Sequence, residues 1–191
     1  QLLSFGIVGG EYNRYFKNTG DILFLKKAEQ SLQKAVEIAA VGRAGYNRAL
    51  ARNYISQHKF KEALVLAEKA LEIGNGLEKT HSLLFDVHME LGNYEEANLY
   101  LKKIKNFSDF GYLIRVAKWN DHLGNLDITI QMMEKATAIA IATKDTNLIL
   151  WSYTNLADYY GHAGELKKSY NHYIKSLELD PLNAYAKKGI A

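Results

Sequence analysis

Four short segments of one design recur along the chain, and their spacing constrains the fold more than any other feature. LGNYEEA at residues 91–97, LGNLDIT at 123–129, AGELKKS at 163–169 and QHKFKEA at 57–63 each put a turn directly before a helix start. His58 to Gly92 spans 34 residues, Gly92 to Gly124 spans 32 and Gly124 to Gly164 spans 40. A recurrence near 34 is the period of stacked helix pairs, none of which can bury its apolar stripe alone.

The segments between the turns read as amphipathic helices. In residues 59–73, Phe60, Ala63, Leu64, Ala67, Ala70 and Leu71 fall three and four apart, while Lys61, Glu62, Glu68, Lys69 and Glu72 lie largely outside that stripe. Residues 94–104, 126–142 and 166–179 follow the same pattern. Pro181 is the sole proline in 191 residues, so little interrupts helix, and strands find no support. The absence of cysteine excludes disulfide stapling, zinc ribbons, iron–sulfur ligation and thiol catalysis in this chain. No run of 18 uncharged apolar residues exists to cross a bilayer, and the first ten residues lack the charge and core of a signal peptide, so a soluble chain is expected. A net charge of +3 is spread along the sequence without a basic face, which argues against nucleic acid.

These residues resemble the tetratricopeptide repeat family, whose helix-turn-helix unit carries a large residue, Leu and a small residue, Tyr, a glycine turn, an aromatic, two small positions and Pro. The last unit matches most fully, through Tyr153, Leu156, Ala157, Tyr160, Gly164, Leu166, Ser169, Tyr173, Ser176, Leu177 and Pro181. Earlier units match in part: Leu50, Ala51, Tyr54, Phe60, Ala63, Ala67 and Ala70; then Leu84, Gly92, Tyr94, Ala97 and Leu101; then Val116, Ala117, Gly124, Leu126, Met133 and Ala136. Phe85 stands where a small residue is usual, and His58 replaces the turn glycine.

The expected fold is all-α, a single solenoid of helix pairs over residues 1–191 forming a right-handed superhelix. Its units are a degenerate one at 1–43, then 44–77, 78–109, 110–149 and 150–183, with a further first helix beginning at 184–191. The degenerate unit turns at Thr19-Gly20-Asp21, with a turn about three residues longer than in the other units. About six residues are inserted between Ala136 and Leu150, and the alanines Ala138, Ala140 and Ala142 predict a lengthened second helix ending at Thr143-Lys144-Asp145.

On a first helix whose core positions are four, seven, eight and eleven, the 100° step puts positions two, six, nine and thirteen on the opposite face. In a solenoid that face is concave, and the resemblance implies the same face as a groove, adding positions five and twelve. The candidates are Arg48 and Arg52; Lys79, Ser82, Asp86 and Glu90; Arg115, Lys118, Asp121 and His122; and Trp151, Thr154, Asn155, Asp158 and His162. Arg48 and Arg52, one turn apart, suit a carboxylate or phosphate, against the plainer reading of a solvated face. Asp86 and Glu90 oppose the lysine and asparagine clamp that some family members close on a peptide's C-terminal carboxylate. Trp151 is the aromatic anchor, whereas Tyr54, Tyr94, Tyr153, Tyr160 and Tyr173 fall on core positions.

His122 and His162 take the same place in adjacent units, near Asp121 and Asp158, which raises a metal or general-base alternative. Helices 8–10 Å apart and the lack of an HExxH pair weigh against it. Gly6, Gly9 and Gly10 lack the Lys-Ser/Thr of a phosphate loop, and no GxSxG elbow occurs. The expected function is a non-enzymatic module that binds a peptide or partner protein in its groove, with no cofactor, no nucleic acid and no membrane insertion. A metal sensor or metal-dependent enzyme, and a solenoid self-associating through its repeat ends, are the alternatives.

Overall fold

The computed structural model describes residues 2–191, so Gln1, where the first predicted unit begins, lies outside them. The described residues form eleven helices and no strand. The chain divides into two compact units, Gln1–Ile104 and Lys105–Ala191. The first holds α1 (Leu2–Thr19), α2 (Ile22–Ile38), α3 (Arg43–Ser56), α4 (Phe60–Ile73), α5 (Leu77–Leu91) and α6 (Tyr94–Lys103). The second holds α7 (Phe110–His122), α8 (Leu126–Thr143), α9 (Thr146–His162), α10 (Leu166–Leu179) and α11 (Ala184–Ile190).

Within each unit a helix packs on the next, and small residues at matching places let the axes approach. Ala51, Ala63 and Ala70 are fully buried in one repeat; Ala117, Thr129 and Ala136 hold the same places in another, and Ala157, Ser169 and Ser176 in a third. Thr129 is tolerated because its hydroxyl donates to the Ala117 carbonyl at 3.3 Å and the Asn125 carbonyl at 3.1 Å. Leu32, Leu50, Leu66, Leu83, Leu84 and Val87 fill the first core. Leu113, Met132, Met133, Leu156 and Tyr160 fill the second. Phe85, at a place where the other repeats carry alanine, is fully buried and is absorbed as core.

Each turn within a repeat is built by one left-handed residue. Gly92, Gly124 and Gly164 have φ of 77°, 77° and 75°. The residue after each donates to the carbonyl five positions back: Asn93 to His88 at 2.9 Å, Asn125 to Asn120 at 2.8 Å and Glu165 to Tyr160 at 2.8 Å. His58 adopts the same conformation with φ of 57°, and Lys59 donates to the Tyr54 carbonyl at 2.9 Å. A side chain with a Cβ is strained there, so His58→Gly is expected to raise stability by about 0.5–1 kcal/mol in urea unfolding, after the loss of the His58–Phe60 edge contact. A destabilised variant would show that the ring contact outweighs the backbone strain.

One local expectation is corrected and another holds with an addition. The Thr19-Gly20-Asp21 turn is no longer than the others: Gly20 is left-handed and Asp21 caps α2 by accepting from the Leu23 amide at 2.9 Å. The three additional residues are helical and lie in the first turn of α2. The insertion before Leu150 lengthens the second helix as expected, α8 having 18 residues against 14 in α4 and α10, and its remainder opens α9 ahead of Leu150. α8 ends at Thr143 with Lys144 left-handed, and Asp145 accepts from the Asn147 and Leu148 amides at 2.9 and 3.2 Å, starting α9 at Thr146.

Candidate functional site

The first unit presents a cleft of about 170 Å³ between the first helices α1 and α3. Phe16 and Lys17 reach it from α1, and Ala49, Arg52 and Ser56 from α3. Its polar wall is fixed by Asn53, which is 1% exposed and donates to Asn13 Oδ1 at 2.8 Å and to the Leu25 carbonyl at 3.0 Å. Gln57 donates to Asn53 Oδ1 at 2.7 Å and completes its bonding. Arg52 and Lys17 therefore bring two cations to a pre-organised amide wall beside an aromatic ring, a surface that suits acidic or carbonyl groups of a peptide.

Arg48 and Arg52 of α3 do not converge on one ligand. The Arg48 guanidinium donates to the Asn75 carbonyl at 2.6 Å and to Thr80 Oγ1 at 3.1 Å, which ties the loop before α5 to α3. Burial pulls its pKa down. A Cβ on Gly76 would lie 3.0 Å from Arg48 Nη2, so that glycine admits the guanidinium as well as the left-handed turn. On α5, Lys79 and Glu90 are exposed, and Ser82 and Asp86 are half-buried.

In the second unit the candidates are largely occupied by the fold. Arg115 donates to the Gly111 carbonyl at 2.7 Å, and Lys118 is half-buried. Trp151 is 41% exposed, with its ring edge-on to Phe110 at 5.8 Å. Asn155 donates to the Trp151 carbonyl at 2.8 Å. Thr154 is buried, its hydroxyl bonded to the Leu150 and Trp151 carbonyls at 3.1 and 3.0 Å, and it offers no surface to a ligand. Asp158 accepts hydrogen bonds from the Tyr173 hydroxyl and, at 2.6 Å, from Tyr185, so it anchors α10 and α11.

His162 Nδ1 lies 3.1 Å from Asp121 Oδ1, so the sequence pairing brings these two side chains together. His122 is exposed and its ring leans on Trp119 at 5.7 Å. Among the described residues no group of three or more His, Asp or Glu is disposed to hold a metal ion. Burial, with the Asp121 and Asp158 carboxylates beside it, pushes the Tyr159 phenol up to about 12, so it stays protonated at neutral pH. Asn13 and Asn53 were absent from the predicted groove because their pairing joins residues 40 apart in sequence. Only the short, polar character of two asparagines on neighbouring first helices signals it.

Residues 48–75 and 152–181 each match the tetratricopeptide-repeat family model. The chain carries tetratricopeptide repeats. No curated protein matches its sequence. Among solved structures it is similar to a thermophilic tetratricopeptide-repeat protein of Thermus thermophilus, with TM-score 0.75 and 17% identity over 94% of this chain and 95% of that one. It is also similar to YrrB, a repeat protein with an unusual peptide-binding site, with TM-score 0.55 and 18% identity over 94% and 97% of the two chains. The kinesin light chain repeats of Podosopora anserina give a TM-score of 0.57 and 18% identity over 96% and 95%. These likenesses establish the fold of the tetratricopeptide-repeat chain; its ligand has to be argued from its own residues. No helix among the described residues is long and apolar enough to cross a membrane.

Proposed function

We propose that this tetratricopeptide-repeat chain is a non-enzymatic interaction module that holds an extended segment of a partner protein on the first-helix faces of its repeats. The α1–α3 cleft carries this reading: two cations, a fixed asparagine pair and Phe16 converge on a cavity sized for one or two peptide side chains. Arg52 and Lys17 receive an acidic side chain, and the asparagine wall meets the peptide backbone. Lys79, Asp86 and Glu90 on α5 favour a segment of mixed charge, while Trp151 and Asn155 offer a separate contact in the second unit. Arg48 and Asp158 support these faces from within. Peptide binding by YrrB is a property of that protein and supports the reading only by analogy of fold.

Selection of random displayed peptides on the immobilised chain, followed by fluorescence anisotropy with a selected peptide, tests the proposal. Arg52→Glu is expected to weaken that peptide at least tenfold, about 1.4 kcal/mol, with circular dichroism unchanged. Equal affinity for Arg52→Glu and Lys17→Glu would remove the cleft from the binding surface.

A further inference from the structure

A second pocket, of about 480 Å³, opens in the first unit where α2 and α4 end beside the start of α3. Asn47 forms part of its wall. This residue is 2% exposed, and its Oδ1 has no hydrogen-bond partner among the described residues. Asn47 holds the fourth place of its repeat, where the others carry His81, Leu113 and Tyr153. In the second unit Tyr153 lines the corresponding surface between α8, α9 and α10. Asparagine in place of a large ring or a leucine leaves room in this pocket and puts a desolvated acceptor beside it, which the apolar residues could not do.

The chemistry around that acceptor calls for a cationic donor. The carbonyl ends of α2 and α4 carry partial negative charge, and neither helix has a basic residue in its last turn. Each has a glutamate there instead, Glu37 and Glu72, and both line the pocket. The cations of the same pocket are already placed or peripheral: Arg43 is held by its Nε on the Ala39 carbonyl at 2.8 Å, and Lys69 is exposed on α4. Lys34 pairs with Glu37 at 2.7 Å. Glu72 has no ion-pair partner among the described residues. Val36 and Ile73 supply apolar wall for an alkyl stem.

We infer that this pocket receives an arginine side chain, its guanidinium donating to Asn47 Oδ1 and the Glu72 carboxylate while its methylenes lie along Val36 and Ile73. A guanidinium matches because its planar fork of five donors serves an amide oxygen and a carboxylate in one fixed geometry, whereas an ammonium is a more strongly hydrated point charge and a phenol has a single donor. The pocket lies on α2, α3 and α4, apart from the α1–α3 cleft, so a partner would engage the two independently.

Titration of the full chain with N-acetyl-arginine methylamide, followed by amide and side-chain NMR shifts, tests the inference. Saturable shifts at the Asn47 side chain and Ile73 are expected, with at least fivefold weaker binding of N-acetyl-lysine methylamide and of N-acetyl-tyrosinamide. Asn47→Leu, which restores the residue type of Leu113, is expected to abolish the shifts. Glu72→Gln, an exposed substitution that leaves the core untouched, is expected to weaken binding at least fivefold and covers the case in which Asn47→Leu fails to fold. Absence of saturation, equal or tighter binding of tyrosinamide, or unchanged affinity in the folded variants would overturn the assignment. The cleft variant Arg52→Glu should leave this titration unaltered, so failure of one reading is distinguishable from failure of the other.

Discussion

Alanine in place of Asp158 is expected to cost the second unit about 2–3 kcal/mol and to release α11. Tyr173 is 5% exposed and donates its hydroxyl to this carboxylate; without it a buried donor is left unpaired, and hydrogen bonds to charged groups are worth about 1.5–3 kcal/mol. The Tyr185 bond at 2.6 Å adds less, because Tyr185 is 57% exposed and water competes for it. α11 has only seven residues and Ala186 as its buried contact, so it holds its place through this carboxylate and the packing of Gly189 on the Tyr173 ring. Urea unfolding and hydrogen exchange of the α11 amides provide the measurement; exchange in α11 as slow as in wild type would show that apolar packing alone suffices. Asp158→Asn, which keeps one acceptor oxygen, should fall between the two.

The same cluster predicts a pH response at the alkaline end. Its bond to Asp158, then burial, then the carboxylate's charge push the Tyr185 phenol from 10.0 up to about 12. The protonated phenol is the bonded form, so its contribution is complete below 10 and is lost as pH rises through about 12. The Tyr185 ring resonances should therefore titrate late, together with loss of the α11 signal, and Asp158→Ala should shift that titration to lower pH.

What sequence reasoning could reach was set by distance along the chain. The helix pairs and the glycine turns between their helices are local, and each followed from spacing and residue type within a few positions. His58 was recognised as standing at a glycine place although histidine is a poor residue for it. The errors at α2 and α9 arose because periodicity locates a helix but not its first residue, which a single capping side chain decides. Site residues were harder: the first-helix face was legible, but what each polar group does there depends on partners far away. Arg48 bonds to residues 27 and 32 positions on, Asp158 to residues 15 and 27 positions on, and Asn53 to one 40 positions back. No pattern within a helix distinguishes Arg48, which holds a loop, from Arg52, which faces the cleft.

Gly9 and Gly10 show how packing resolves what composition leaves equal, and substituting them by alanine should change stability in opposite directions. Both lie inside α1, where alanine is favoured over glycine by about 0.5–1 kcal/mol. At Gly10 nothing lies within 4 Å of an added Cβ, so Gly10→Ala is expected to stabilise the first unit by about that amount. At Gly9 the Cβ would meet Leu32 Cγ at 2.7 Å and Cδ2 at 2.9 Å, with the Ala28 carbonyl oxygen at 3.4 Å. Leu32 is 1% exposed and packed in the core, so overpacking costing about 1–3 kcal/mol outweighs the helix gain. Gly9→Ala is accordingly expected to destabilise by about 1–2 kcal/mol, and Gly9→Val by more. Urea midpoints of the three variants, at constant slope, measure the effect; a stabilised Gly9→Ala would mean that α1 lies farther from α2 in solution than Leu32 requires. Gly9 is thus the small residue of a degenerate first repeat and does at the α1–α2 contact what Ala51 and Ala117 do at theirs.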